Sequence, residues 1–156
     1  MKANTKIFGC LADPINHVKA PTLFTKLFKE QNVNAIMIPI NVSSENLEKF
    51  FSGIKSIKNF AGMTVTIPHK TNVLKYCDNL ENEAIDTQSV NWIKIENEKL
   101  IGTNFDGIGF VNGLKNKNLI VENKDFAIFG VGGAGKSIIY SLIKAKASRL
   151  KLINRN

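Results

Sequence analysis

Short apolar runs alternate with helical apolar repeats along the first half of the chain. Residues 6–9, 35–40 and 60–66 are mostly apolar and have the length that is typical of buried strands. Between them, apolar residues recur at a spacing of three or four, which predicts two amphipathic helices, the first beginning near Pro21. The order β-α-β-α-β favours an α/β fold with a mainly parallel sheet that is covered by helices on both faces.

A mixed stretch follows these elements. Its pattern predicts a helix over residues 68–76, a short helix from Glu81, strands over residues 90–96 and 99–103, and a helix that Asp106 caps.

A second β-α-β unit begins after the polar residues 115–118, which we interpret as a linker. Residues 126–129 and 150–153 predict strands on either side of a helix over residues 137–144. Such a unit is the start of a Rossmann-type domain. We therefore divide the chain into a first domain at residues 1–105, a connecting helix and linker at 106–118, and a partial dinucleotide-binding domain at 119–156.

The net charge of +8 raises the question of nucleic-acid binding. The lysines are scattered along the chain, and many fall on the outward faces of the predicted helices, as on a solvated surface. No nucleic-acid-binding motif accompanies them, so we expect no nucleic-acid partner. A basic surface also suits anionic small molecules and dinucleotides.

The chain contains no apolar run long enough to span a bilayer and no apolar signal core at its start. We therefore expect a cytoplasmic protein without a membrane partner. Its two cysteines, Cys10 and Cys77, are far apart, and its two histidines are too few for a histidine-rich metal cage. We expect no disulfide framework and no metal site.

A glycine-rich stretch at residues 130–137 satisfies two phosphate-binding patterns at once. It reads as Gly-x-Gly-x-x-Gly between a strand and a helix, as in dinucleotide binding, and as Gly-x-x-x-x-Gly-Lys-Ser, as in a P-loop. In both, glycines let the backbone approach phosphate, and the helix N-terminus supplies free N–H groups. The candidate cofactor-binding residues of this turn are Gly130, Gly132, Gly133, Ala134 and Gly135.

The end of the second strand favours NADP as the nucleotide. An NAD site has an acidic residue about 20 positions beyond the turn, whereas Asn154 and Arg155 occupy that region here. An arginine there suits a ribose 2′-phosphate. A P-loop protein would instead use Lys136 on phosphate and Ser137 on magnesium, and this alternative remains open.

Several blocks, in the same order along the chain, resemble the shikimate dehydrogenase family. Residues 64–70 read Thr-Val-Thr-Ile-Pro-His-Lys, similar to the family signature Asn-Val-Thr-Ile-Pro-His-Lys. Residues 102–110 resemble the family's Asn-Thr-Asp-Gly stretch, and residues 13–17 fall at its substrate loop. Val90 and Asn91 fall in its Ala-Val-Asn-Thr motif, and the glycine turn completes the match.

The resemblance implies the reversible NADPH-dependent reduction of a ring ketone, which is 3-dehydroshikimate in the family and belongs to aromatic amino-acid biosynthesis through chorismate. It implies that Lys70 and Asp106 face each other in a cleft. A positioned ammonium stabilises the negative charge that develops on the carbonyl oxygen and delivers a proton, while the carboxylate holds the lysine and binds a hydroxyl. Thr66 and Asn91 are further substrate-binding candidates.

The chain departs from the family where substrate is recognised. Two family serines that bind the substrate carboxylate are replaced by Val18 and Ala20. The signature asparagine is Thr64, the threonine before the aspartate is Phe105, and the threonine after the matched asparagine is Trp92. A site that has lost such hydroxyls recognises a carboxylate poorly. The hypothesis is that shikimate is a poor substrate and that quinate or another ring alcohol replaces it.

The family's nucleotide domain continues for several strands beyond the point where this chain stops. Either the chain is a piece of a longer protein, or a partner such as a second copy covers the uncovered sheet edge. We expect little or no turnover by residues 1–156 alone. A non-catalytic binding module is a further alternative to the enzyme.

Overall fold

The computed structural model describes residues 2–155. Eight strands and five helices lie within this range, joined by turns that include short 3₁₀ segments. In chain order they are β1 (Lys6–Ala12), α1 (Ala20–Glu30), β2 (Ala35–Asn41), α2 (Leu47–Ile54), β3 (Phe60–Val65), β4 (Asn79–Leu80), α3 (Asn82–Thr87), β5 (Trp92–Glu96), β6 (Lys99–Thr103), α4 (Asp106–Asn116), β7 (Asp125–Phe129), α5 (Gly133–Lys144) and β8 (Arg149–Ile153).

Six strands form one sheet in the order β2-β1-β3-β5-β6-β4. β1 pairs in parallel with β2 and with β3, so that Leu11 lies opposite Ile40 on one side and Val65 on the other. β5 runs antiparallel to β3. The predicted α/β fold with a mainly parallel sheet is confirmed. Because β1, β2 and β3 are parallel, the segments that follow them emerge at one edge of the sheet.

Apolar residues from both strands and helices fill the core of this sheet. Leu11, Met63, Ile93 and Leu100 are fully buried. The predicted face of α2 is buried at Leu47, Phe51 and Ile54, beginning after a 3₁₀ turn at Ser44–Asn46. α1 differs from the prediction of a single apolar face, since none of its residues is fully buried and Leu23 is 57% exposed.

The predicted helix over residues 68–76 is wrong. The segment forms turns and then a 3₁₀ turn at Leu74–Tyr76. The carbonyl oxygen of Lys70 accepts the N–H of Val90 at 2.7 Å, so it is not available to continue a regular helix. A tertiary hydrogen bond thus overrides the local periodicity.

The chain packs as two compact units. The N-terminal unit contains the chain up to Leu80 together with Val90–Gly102, and therefore the six-stranded sheet. The C-terminal unit contains Glu81–Ser89 and the chain from Thr103 onward. In it, β7 and β8 pair in parallel, as expected for a β-α-β unit. The helix predicted as a connector, α4, packs with α5 in this unit around Val111 and Leu142.

No helix among residues 2–155 has the length and apolar character needed to cross a membrane.

Candidate active site

The turn that follows β3 is fixed to the ends of the two other parallel strands, β1 and β2. The N–H of Thr66 donates to the carbonyl of Leu11 at the end of β1 (3.0 Å). His69 is fully buried, and its Nε2 lies 2.8 Å from the carbonyl oxygen of Val42, just beyond β2. Because a carbonyl only accepts, Nε2 carries the proton. Nδ1 is left buried without a hydrogen-bond partner among the described residues.

Lys70 and Asn91 are held on adjacent segments at this edge. The carbonyl of Lys70 accepts the N–H of Val90, and the carbonyl of Asn91 accepts the N–H of Val65 at 2.8 Å. Both side chains are half-buried. The structure therefore brings Thr66, Lys70 and Asn91 to the carboxyl edge of β3.

Thr64 precedes Thr66 by two residues and lies within β3, opposite Cys10 of β1. Its hydroxyl is 3.5 Å from the carbonyl oxygen of Gly9. Burial raises the pKa of the Cys10 thiol, and a hydrogen bond with Thr64 partly offsets that effect. The Thr64 hydroxyl is thus engaged with β1.

The loop between β1 and α1 carries Val18 and Ala20, both half-buried. The N–H of Val18 donates to the carbonyl of Ile15 at 3.1 Å, and Ala20 is the first residue of α1. Neither side chain has a polar atom. This loop lies at the same edge of the sheet as the turn after β3, since the N–H of Asp13 donates to the carbonyl of Ile67 at 3.2 Å.

Asp106 is the first residue of α4 in the C-terminal unit and is half-buried. It is not the predicted N-cap, because Phe105 occupies that position and makes no side-chain cap. The N–H of Asp106 donates to Oδ1 of Asn104 at 3.0 Å, and Nδ2 of this buried asparagine donates to the carbonyl of Ser89 at 3.0 Å. Phe105 is 52% exposed.

The glycine turn joins β7 to α5 in the C-terminal unit. Gly130 has φ +92°, which favours glycine, and a Cβ at Gly135 would overlap the Gly130 carbonyl oxygen. Oδ1 of Asn154 lies 3.5 Å from the N–H of Val131. A cavity of about 600 Å³ has Gly130, Gly132, Asn154 and exposed Arg155 in its lining. The turn therefore has a backbone cradle of the kind that suits a pyrophosphate, with the Arg155 cation in the lining of the same cavity.

Ser137 argues against the P-loop alternative. It is fully buried in α5, where its hydroxyl accepts the N–H of Gly107 (2.9 Å) and donates to Oε1 of Glu83 (3.2 Å). A P-loop serine has to present its hydroxyl to magnesium. Within residues 2–155, no group of three or more His, Cys, Asp or Glu is arranged to hold a metal ion.

The fold and these features define a class of protein. It is an α/β protein in which a unit with a six-stranded sheet precedes a β-α-β unit whose glycine turn is of the dinucleotide-binding type. A family model described as the shikimate dehydrogenase substrate binding domain matches residues 10–93. The chain belongs to the shikimate dehydrogenase family.

Similar proteins cover nearly the whole chain. The NADP(+) shikimate dehydrogenase of Methanococcus maripaludis strain C6 is 39% identical over 99% of this chain and 54% of its own length. The crystal structure of shikimate dehydrogenase from Aquifex aeolicus matches with TM-score 0.94 and 33% identity, over 100% of this chain and 58% of that one. The 5-ketofructose reductase of Gluconobacter sp. strain CHM43 matches with TM-score 0.87 and 28% identity, over 97% and 54%. The chain spans about half the length of these relatives.

The sequence does not predict the supporting roles of three buried polar residues. His69 holds the turn after β3, and Asn104 and Ser137 accept N–H groups at the start of α4. His69 and Asn104 lie inside the matched blocks, and their position beside Lys70 and Asp106 was the available signal. Glu83, which binds Ser137, is 54 residues away in sequence and gave no signal. The roles of the predicted substrate, catalytic and cofactor residues stay predictions.

Proposed function

We propose that this protein is an NADP-dependent oxidoreductase of the shikimate dehydrogenase type, which reduces a ring ketone to the alcohol. The observation that carries the proposal is the braced turn after β3, within the matched family segment, which fixes Lys70 beside Thr66 and Asn91. When bound, NADPH supplies the hydride. The chain's residues bind and orient the ketone and manage the proton.

Lys70 is the proposed proton donor. As the carbonyl carbon is reduced, negative charge grows on its oxygen, and the Lys70 ammonium stabilises that charge and then donates a proton to it. Asp106 is the second proposed catalytic residue, and its carboxylate accepts a hydrogen bond from a substrate hydroxyl. Thr66 and Asn91 hold the ring by their side-chain polar groups, and Val18, Thr64 and Phe105 shape its surroundings together with Ala20.

The glycine turn is the proposed cofactor site. Gly130, Gly132, Gly133, Ala134 and Gly135 form the backbone cradle for the pyrophosphate, and Asn154 and Arg155 bind the adenosine end with its 2′-phosphate. The proposed working division is a substrate domain at residues 1–105, a connecting segment at 106–118 and a cofactor domain from residue 119. We place the protein in the cytoplasm, acting on a small molecule.

A binding and turnover experiment tests this function. The protein at its full natural length is titrated with NADPH and with ATP–magnesium, and NADPH oxidation is then followed with 3-dehydroshikimate and with a panel of other cyclic polyhydroxy ketones. Binding of NADPH alone, with turnover of at least one ketone, is the expected result. Binding of ATP–magnesium, or no NADPH-dependent reduction of any ketone, would overturn the proposal.

A different ring ketone is the second candidate substrate, because Val18 and Ala20 offer no hydroxyl to a carboxylate. A similar solved structure is that of a 5-ketofructose reductase, and this similarity supports the proposal that the fold can act on more than one ketone.

A further inference from the structure

A partly buried hydrogen-bonded group in the C-terminal unit links three helices at the start of α4. Glu83 of α3 accepts hydrogen bonds at Oε1 from two hydroxyls of α5, those of Ser137 (3.2 Å) and Ser141 (3.0 Å). Ser137 also accepts the N–H of Gly107, the second residue of α4, at 2.9 Å. One carboxylate therefore orients a hydroxyl that in turn holds the main chain next to Asp106.

The beginning of α4 needs such partners. The first N–H groups of a helix have no acceptor within the helix. In α4, Asn104 accepts the N–H of Asp106 and Ser137 accepts the N–H of Gly107, while the Phe105 side chain caps neither. The two peptide groups on either side of the Asp106 side chain are thus held by two different parts of the unit.

The contact between α4 and α5 is unusually close at this point. A Cβ at Gly107 would overlap the carbonyl oxygen of Ser137 and the hydroxyl of Ser141. Ser137 lies only two residues beyond Gly135, in the helix that the glycine turn begins. A single hydroxyl therefore connects the peptide adjacent to Asp106 with the first turns of the helix that carries the candidate cofactor site.

We infer that Ser137 and Glu83 are positioning residues that hold Asp106 in register with the glycine turn. The inference rests on the proposed function, because it assumes that Asp106 takes part in the reaction. It also explains why a Gly-Lys-Ser sequence is present without a P-loop: the serine faces inward, to Gly107 and Glu83. Neither residue contacts substrate or cofactor in this account.

The first test compares two alanine variants of the protein at its full natural length. Ser137→Ala removes the acceptor of the Gly107 N–H, and a misplacement of about 1 Å of a catalytic group costs on the order of 100-fold, so kcat is expected to fall about 10- to 100-fold. The KM for NADPH stays near its original value. Ser141→Ala is the matched control, because it removes a donor to the same carboxylate but leaves the acceptor of the Gly107 N–H in place.

Two further variants separate positioning from general stability. Glu83→Ala is expected to lower kcat as Ser137→Ala does, and Glu83→Gln, whose amide oxygen still accepts both hydroxyls, is expected to restore most of it. In an Asp106→Asn background, Ser137→Ala should leave kcat unchanged within about twofold, since the group that it positions is already lost.

The possible results are distinguishable. A Ser137→Ala protein with full kcat, or an equal loss in Ser141→Ala, would overturn the positioning role while leaving the oxidoreductase intact. An additive loss in the Asp106→Asn background would overturn it as well. No NADPH-dependent turnover by the unsubstituted protein would instead refute the proposed function on which the inference rests.

Discussion

Two segments at the same edge of the sheet, the turn after β3 and the loop after β1, are built in opposite ways. The turn is tied to the ends of β1 and β2 through Thr66 and buried His69, and it carries Lys70. The loop carries Val18 and Ala20, whose side chains make no hydrogen bond. Chemistry that needs a fixed lysine requires the first arrangement. Substrate recognition by side chains on a loop can change without altering the strands.

Under the proposed function, the turn is therefore the reactive part of the site and the loop is the part that recognises the substrate. The turn keeps Thr66 and Lys70, as the family resemblance implies, whereas the loop has apolar side chains in place of two hydroxyls.

Replacement of Lys70 should cause the largest loss of activity. Lys70→Met removes the proposed proton donor, so kcat is expected to fall by about 10²- to 10⁴-fold, with little change in the KM for NADPH. Lys75→Met is the matched control, because Lys75 is an exposed lysine in the following 3₁₀ turn. Steady-state kinetics with the best ketone substrate measures both, and retention of kcat in Lys70→Met would remove Lys70 from the mechanism.

Replacement of Arg155 should change the choice of cofactor. Arg155→Ala removes a charged hydrogen-bond donor to the 2′-phosphate, worth about 1.5–3 kcal/mol, and should raise the KM for NADPH about 10- to 100-fold. The KM for NADH should not change. Lys151→Ala, on exposed β8, serves as the control for loss of positive charge. An equal effect on both cofactors would show that Arg155 does not read the phosphate.

The two histidines offer a direct stability comparison between the segments. His69→Leu removes the hydrogen bond to Val42 and should lower the free energy of unfolding by about 1–3 kcal/mol. His17→Leu, at an exposed position in the loop, should change it by less than about 0.5 kcal/mol. Urea unfolding measures both. Similar values for the two variants would contradict the view that a buried side chain braces the turn, whereas main-chain hydrogen bonds hold the loop.

Cys77 reports on the packing beneath the braced turn, since its Sγ lies 3.5 Å from the carbonyl oxygen of Val73. Burial, with a smaller effect of Asp78, raises the Cys77 pKa to about 12. The folded protein should therefore resist iodoacetamide at pH 8, and this group's contribution to stability should decline as the pH rises from 9 towards 12. His69→Leu should speed Cys77 alkylation, as mass spectrometry would show. Fast alkylation of the unsubstituted protein would contradict a half-buried thiol that stays neutral.

The sheet could be predicted from the sequence because its strands are apolar runs, and buried parallel strands have that composition. The glycine turn was also visible, since its conformation depends on local glycines. The predicted helix over residues 68–76 is wrong because hydrogen bonds of this segment run to Val90 and Val42, which are distant in sequence. Local periodicity carries no information about such partners.

The same limit applies to the group around Ser137. Its residue type and position matched a P-loop, and only its burial against Gly107 and Glu83 argues otherwise. The short helix α3 was predicted, but its place in the C-terminal unit depends on contacts with α5 that no local pattern encodes. Polar tertiary contacts, more than apolar ones, therefore could not be predicted from the sequence.

The proposal that the turn with Lys70 carries the reaction while the loop with Val18 and Ala20 sets substrate recognition has one most direct test. It is kcat/KM for 3-dehydroshikimate in the unsubstituted protein and in a Val18→Ser/Ala20→Ser variant. The Aquifex aeolicus enzyme is assayed alongside, and Asn16→Ser, an exposed change in the same loop, is the control. We expect low efficiency for the unsubstituted protein and a gain of about 10- to 100-fold in the double variant, from new hydrogen bonds to the carboxylate. Efficiency equal to that of the Aquifex aeolicus enzyme, with no gain from the serines, would contradict it.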